Sequence, residues 1–318
     1  MEPRLELRPV EVTHVHPPPT LARVSPFLAG SIYAPSPDGI NLNLVILLHG
    51  LGDTAAPFAR LAQSLNLPQT ATLSLKAPER IPLLDEEAYA WWPSFDDMGE
   101  LIVNPNPAAT LHLLVKLVEH LTAPVSSPST STSTSTSTST SSAPTSGGCG
   151  WEPSQIHLFG YAQGGTCAGE LALAWAQAHP VAAAAAPTSS RCAPSSPSSS
   201  RAQPEHAHLG SLVAVSAPLV SHPTPSPSTR ARTRALVVLR PAEQRAVAPS
   251  AWQRGFARCD AVALPGPGGR AQDGMLRGRD EWVGVMRFWS EVLGRKSALE
   301  LQGDDVYEVT GGAPGASR

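Results

Sequence analysis

The sequence predicts an α/β fold in which a mostly parallel sheet is covered by helices on both faces. Three observations predict it. Strand-length runs such as Leu42 to Leu48 and Ala235 to Leu239 are almost wholly apolar, as strands buried on both faces require. Between such runs lie stretches whose apolar residues recur at helical spacing, Pro107 to Leu121 being the clearest. At Ile156 to Gly165 a strand meets a glycine-flanked turn, followed by the helix-forming stretch Thr166 to His179. The 318 residues, 42% hydrophobic with a net charge of -3, suffice for one such core and give no electrostatic reason to bind nucleic acid.

Taken in order, residues 1–24 read as a disordered or weakly ordered N-terminus. Glu2, Arg4, Glu6, Arg8 and Glu11 leave no apolar core for a secretory signal, and no run of about 18 apolar residues suggests a transmembrane segment. The four cysteines follow no metal or disulfide spacing, so the expected setting is cytoplasmic with reduced thiols and no metal. A single domain is expected over 25–295. Ser25 to Ser36, with Phe27, Leu28, Ile32 and Tyr33, reads as an edge strand and turn, and Leu42 to Leu48 as a buried strand. His49 to Thr54 is a Gly-rich loop whose Asp53 or Thr54 suits the cap of a helix carrying Phe58, Leu61, Ala62 and Leu65. Thr70 to Leu75 is the next strand. Lys76 to Met98 is an irregular excursion whose Trp91, Trp92 and Phe95 either line a pocket or plug the open end of the sheet.

Three low-complexity tracts interrupt this pattern, at about 125–150, 181–207 and 221–233. The first contains the Ser-Thr alternation Ser129 to Thr140, polar on both faces of any strand, and all three read as disordered insertions. They fall between elements, where loop closure costs little. Leu209 to Val215, Ala235 to Leu239 and Asp260 to Leu264 read as further strands. A last helix is expected from about Arg279 to Leu293, with Trp282, Val285, Met286, Trp289 and Leu293 on one face, before a disordered tail over 296–318.

The turn at Ile156 to Gly165 carries the chemistry. Gly160 and Gly164 bracket Ala162 in the spacing of a nucleophile elbow, in which small neighbours let a strained turn lift one side chain above the sheet. The lifted group here is a methyl, which can neither attack a carbonyl nor hydrogen-bond a base.

Leu-Leu-His-Gly-Leu-Gly-Asp-Thr at 47–54, Ala77-Pro78, Trp92-Pro93-Ser94-Phe95-Asp96 and Phe159 to Gly165 resemble, in order, the acyl-protein thioesterase and small carboxylesterase family of α/β-hydrolases. The resemblance spans roughly residues 28–295 and implies an α/β-hydrolase fold with a Ser-Asp-His triad, no cofactor, and acyl esters, thioesters or acylated proteins as substrates. Carried over by position, the nucleophile falls on Ala162, the acid near Arg245 with Glu243 the nearby carboxylate, and the base near Arg277. No histidine follows His222. The oxyanion-hole N–H groups fall on Leu51 and Gln163.

Replacement nucleophiles are conceivable at Thr166, Cys167 and Ser94, and His49 is the most tempting loose base, although the resemblance gives its loop to the oxyanion donor. Arg245, Arg277 and Arg279 form either a basic rim or solvated surface. The expectation is therefore a hydrolase-like frame that binds an acyl group or a protein without cleaving it. The alternative is an active ester or thioester hydrolase with a displaced nucleophile, and a third reading is a scaffold whose Ser/Thr tracts are the functional part.

Overall fold

The computed structural model describes residues 6–9, 16–82, 84–96, 98–102, 105–125, 147–180, 208–221, 223, 230–240, 247–264, 274–297, 300 and 307–310. The elements in chain order are β1 (Glu6–Pro9), α1 (Leu21–Val24), β2 (Ile32–Ala34), β3 (Asn43–Leu48), α2 (Ala55–Leu65), β4 (Thr70–Leu75), β5 (Glu79–Arg80), β6 (Tyr89–Ala90) and α3 (Ala108–Thr122). There follow β7 (Ile156–Tyr161), α4 (Gln163–Ala178), β8 (Ser211–Val215), β9 (Arg234–Leu239), α5 (Pro249–Gly255), β10 (Cys259–Ala263), α6 (Gly278–Val292) and β11 (Tyr307–Thr310).

Seven strands form the central sheet in the order β10-β9-β8-β7-β3-β4-β2, parallel throughout except for β2 at one edge. The chain starts the parallel series at β3, adds β4 on one side, then returns to add β7, β8, β9 and β10 on the other. The strand order therefore reverses between β3 and β7. Ligand crevices of open α/β sheets form at such a reversal, outside the carboxyl ends of the strands. His49 and Ala162 follow those two strands directly.

The apolar runs work as predicted from their composition. Every residue of β3 is buried. Leu44, Ile46 and Leu48 point to the layer containing Leu114, Leu117 and Val118 of α3 and Ala168 and Leu171 of α4. Val45 and Leu47 point the other way, to Phe58 and Ala62 of α2 and to Val285, Phe288 and Trp289 of α6. Burying both faces removes any polar side of the strand, which explains the missing alternation.

Several expectations meet a different outcome. Residues 1–24 and 296–318 were read as weakly ordered ends, yet β1 pairs antiparallel with β11, α1 lies at 21–24, and His16 is buried with its ring stacked 3.8 Å from Trp151. The first insertion ends earlier than 150, because Gly148, Cys149 and Gly150 donate backbone hydrogen bonds to Pro124, His120 and Ala123 at the end of α3. The third ends by 230: Ala231 bridges to Phe256, and Thr233 is buried. Of the three tracts, 126–146 (with Ser129 to Thr140), 181–207, 222 and 224–229 lie outside the described residues. Helix α4 begins at Gln163 rather than Thr166, and α5, started by Pro249 in its first turn, was not foreseen. In α6 Met286 is exposed, and Phe288 joins Val285 and Trp289 on the buried face. Among the described residues, no helix is long and apolar enough to cross a membrane.

His157, near the amino end of β7, gives the core a pH dependence. It is fully enclosed, its Nδ1 lies 2.8 Å from Ser211 Oγ, and among the described residues its Nε2 has no hydrogen-bond partner. Burial pushes its pKa down from 6.5 to about 3, so the folded protein keeps it neutral while the unfolded chain takes up the proton first. Its contribution is thus fully present above the unfolded pKa and is lost as pH falls towards the folded one, at about 1.4 kcal/mol per pH unit for one proton. His157→Gln is expected to flatten the acid side of a stability-versus-pH series by that one-proton slope. An unchanged slope would assign the titration to another group.

Candidate active site

The carboxyl ends of β3 and β7 build the site. Ala162 has φ 48° and ψ -118°, a strained conformation for a residue with a Cβ, which the chain adopts to pass in one residue from β7 into α4. Its N–H donates to Val215 O at 2.8 Å, and its carbonyl accepts from Thr166 N at 3.0 Å, starting the helical ladder. The N–H groups of the first helical turn have no intrahelical carbonyl to bond, so Gln163 presents a donor at a positive helix end.

The glycines explain the tightness. A Cβ on Gly160 would lie 2.4 Å from Gly164 O, one on Gly164 would lie 2.3 Å from both Leu48 O and His49 O, and one on Gly165 would meet Ala217 Cβ at 2.6 Å. The elbow is thus wedged between its own helix and the end of β3.

Across from it, the 49–54 loop is held by its neighbours. Gly52 N donates to Tyr89 O, Tyr89 N to Asp53 O, and Asp53 Oδ1 accepts from Thr54 N at 2.7 Å. Thr54 occupies the N-cap of α2 without a capping side-chain bond, contrary to its expected role. Leu51 is 40% exposed, and among the described residues its N–H makes no hydrogen bond.

His49 is fully buried, with Nδ1 donating to Gly50 O at 2.7 Å and Nε2 accepting from Ala77 N at 3.1 Å. Burial lowers its pKa, and both ring nitrogens are committed to backbone, so it is a loop brace and not a free base.

The aromatic loop is tied to the elbow through Gln163, whose Oε1 accepts from Trp91 N and whose Nε2 donates to Ser94 Oγ, both at 2.8 Å. Trp91 donates its Nε1–H to His49 O at 2.8 Å and is buried, as is Trp92. Both belong to the core cluster. Phe95, with Leu51, Ile81, Pro82 and Leu84, lines an open cleft of about 630 Å³ beside the Leu51 N–H. Of the four pocket candidates, Phe95 lines this cleft, while His49, Trp91 and Trp92 are buried and do not line it.

The position given to the acid, Arg245, lies outside the described residues, as does Glu243. Arg277, the position given to the base, is the exposed N-cap of α6, and its N–H donates to Glu281 Oε2 at 2.5 Å. The same carboxylate receives both Nη atoms of Arg240, at 3.1 and 3.2 Å, and Arg240 also donates to Gly274 O and Met275 O. Arg240 directly follows β9 and is buried. Its guanidinium, the first cause, holds the Glu281 carboxyl below the ordinary range. A partly buried ion pair, with Arg240 buried and Glu281 half-buried, therefore ties down the segment before α6, a feature that no sequence spacing marks.

The weighed nucleophiles are all engaged. Ser94 Oγ donates to Trp92 O and accepts from Gln163, and Thr166 Oγ1 donates to Pro218 O at 2.7 Å. Cys167 is fully buried, which pushes its thiol pKa well up. Ser216, not considered from sequence, follows β8 with φ 54°, next to the residue whose carbonyl accepts from Ala162 N, and its own N–H donates to Val238 O at 2.9 Å. Of the other described histidines, His157 is enclosed, His16 stacks on Trp151 and His179 on Trp175, His120 lies 3.9 Å from Cys149 Sγ, His208 is bonded to Leu209 O and His112 is exposed on α3; His14, His206 and His222 lie outside the described residues.

The sequence and the fold both have counterparts. A family model described as phospholipase/carboxylesterase matches residues 34–208. An uncharacterized hydrolase of Mycosarcoma maydis is 33% identical over 281 residues, covering 87% of this chain and 87% of that protein. Another, from Schizosaccharomyces pombe, is 36% identical over 84 residues, 25% of this chain and 35% of that protein. Among solved structures, esterase PE8 superposes with a TM-score of 0.53 at 16% identity, covering 83% of this chain and 99% of the esterase. Zea mays acyl-protein thioesterase 2 gives 0.50 at 16% identity, with the same coverages. At that identity the likeness to the solved structures is one of fold.

Proposed function

The chain belongs to the phospholipase/carboxylesterase family of α/β-hydrolases, and we propose that it is a member that binds without cleaving. The ligand is an acyl ester, a thioester or an acylated protein, held with its carbonyl near the Leu51 and Gln163 N–H groups and its apolar part in the cleft of Leu51, Leu84 and Phe95. The observation that carries the proposal is the methyl of Ala162 at the apex of an otherwise complete elbow. Backbone donors stabilise a carbonyl oxygen whatever side chain stands beside them, so binding outlasts the nucleophile. His49 committed on both nitrogens and the Arg240–Glu281 pair tying down the segment at the base position support the same reading. Ser216, which follows the residue bonded to Ala162 N, is the position at which the second reading, an active hydrolase with a displaced nucleophile, is tested.

The purified protein is expected to resist labelling by a fluorophosphonate probe and to turn over short p-nitrophenyl esters no faster than a heat-treated control. It is also expected to bind an uncleavable octanoyl thioether, about tenfold more weakly after Leu84→Asp removes apolar burial from the cleft. Labelling that disappears with Ser216→Ala would replace this reading with the second one.

A further inference from the structure

A second cleft, of about 520 Å³, opens at the amino edge of the sheet, the opposite end of the strands from Ala162. Its charge comes from an alternation. Ala231, Thr233 and Ala235 are buried, so Arg232 and Arg234 between them project to one side of an extended segment. Arg258, preceding β10, enters the same cleft from the neighbouring strand, where its carbonyl accepts from Ala235 N at 2.9 Å. His208 and Ser154 form another wall, and Glu291 of α6 closes the cleft.

The compensation of these charges is uneven. Arg234 takes both carboxylates at hand, with Nη2 2.6 Å from Glu291 and 3.7 Å from Asp260, and lies over the Phe288 ring. Arg232 and Arg258 are exposed and have no acidic partner among the described residues. Two guanidiniums in one concave site, without a carboxylate partner among the described residues, repel each other and concentrate positive charge and donors that an anion would relieve.

We propose that this cleft binds a phosphate-bearing anion, as free phosphate or as a phosphomonoester. The two guanidinium forks carry the donors, since His208 Nδ1 is bonded to Leu209 O at 3.0 Å and Ser154 Oγ donates to Glu152 at 3.5 Å, and two forks match a dianion with several oxygens. In the sequence, the hydroxyl-rich stretches 181–207 and 224–229 directly precede His208 and Arg230. A phosphorylated serine or threonine of this chain and a free phosphate are therefore the two sources of the same chemistry.

The test is calorimetric titration of the full chain, pretreated with phosphatase, using inorganic phosphate and separately O-phosphoserine at an ionic strength held constant with chloride. Saturable binding is expected for both. Removing both arginines by Arg232→Gln with Arg258→Gln is expected to weaken it about tenfold per arginine. Arg279→Gln, which removes an exposed charge at the carboxyl edge, is expected to leave affinity unchanged. Because Arg232 and Arg258 are exposed, the double variant should melt as the unmodified protein does in chloride alone. Tighter binding of phosphoserine assigns the cleft to a modified side chain, and tighter binding of phosphate to the free ion. Absence of saturable binding to either, or equal weakening by Arg279→Gln, would overturn the proposal.

Discussion

Ala162→Ser alone is expected to leave ester hydrolysis at the level of the unmodified protein, on the order of 10⁶-fold below an intact serine hydrolase. The new hydroxyl would sit at the apex of a correctly strained turn, with the Gln163 N–H beside it, and would still be a weak nucleophile without a base. His49, the histidine closest in the chain to the site's loops, cannot accept that proton, since Nε2 already takes the Ala77 N–H and Nδ1 donates to Gly50 O. At the far side, Glu281 is occupied by Arg240 and the Arg277 N–H. Members of a triad act as a unit, so the parts do not contribute separately. Combining Ala162→Ser with Arg277→His and Arg245→Asp is the smallest set that supplies nucleophile, base and acid together. Initial rates on p-nitrophenyl acetate, with fluorophosphonate labelling of the single variant, decide the matter. Rapid labelling of Ala162→Ser by itself would mean that a working base is present and would remove the ground for a non-catalytic protein.

The fold was legible where the physics is local. A run such as Leu42 to Leu48 admits no exposed face, and the glycine-bracketed turn at 160–164 admits no regular element, so β3, β7 and the position of Ala162 followed from composition alone. Around the candidate site, the places of the loop after β3 and of the turn into α4 were legible, because glycine spacing and strand ends mark them. Contacts made across long sequence separations were not. Nothing in the spacing of Arg240 and Glu281 says that residues 41 positions apart come together in a partly buried pair. Trp91 and Trp92 were ambiguous for a related reason. An indole needs a partner for its N–H, and the partner of Trp91 is a backbone carbonyl at His49, invisible to any side-chain pattern. The terminal pairing of β1 with β11 joins segments that each look too polar to order alone.

Gly164→Ala is expected to destabilise the protein by about 3 kcal/mol or more, at the upper end for overpacking a close-packed interior. The added Cβ would lie 2.3 Å from Leu48 O and 2.3 Å from His49 O, both backbone atoms at the rigid end of β3, so no side chain can swing away to admit it. Relief requires moving α4 off the sheet, which would disturb the packing of Ala168 and Leu171 against β3. Against a total stability of some 5–15 kcal/mol this is a large fraction, worth roughly 6–12 °C in melting temperature for a domain of this size. Gly284→Ala supplies the contrast. It lies within α6, where a Cβ would meet Val262 at an ordinary 3.5 Å, and replacing a helical glycine should add about 0.5–1 kcal/mol. Thermal melts of the two variants separate steric exclusion from helix propensity, and a Gly164→Ala protein as stable as the unmodified one would show that the elbow can open. The consequence reaches back to function. If packing alone demands glycine at 164, then the elbow spacing around Ala162 is a requirement of the fold, and its presence carries no information about whether a nucleophile ever stands within it.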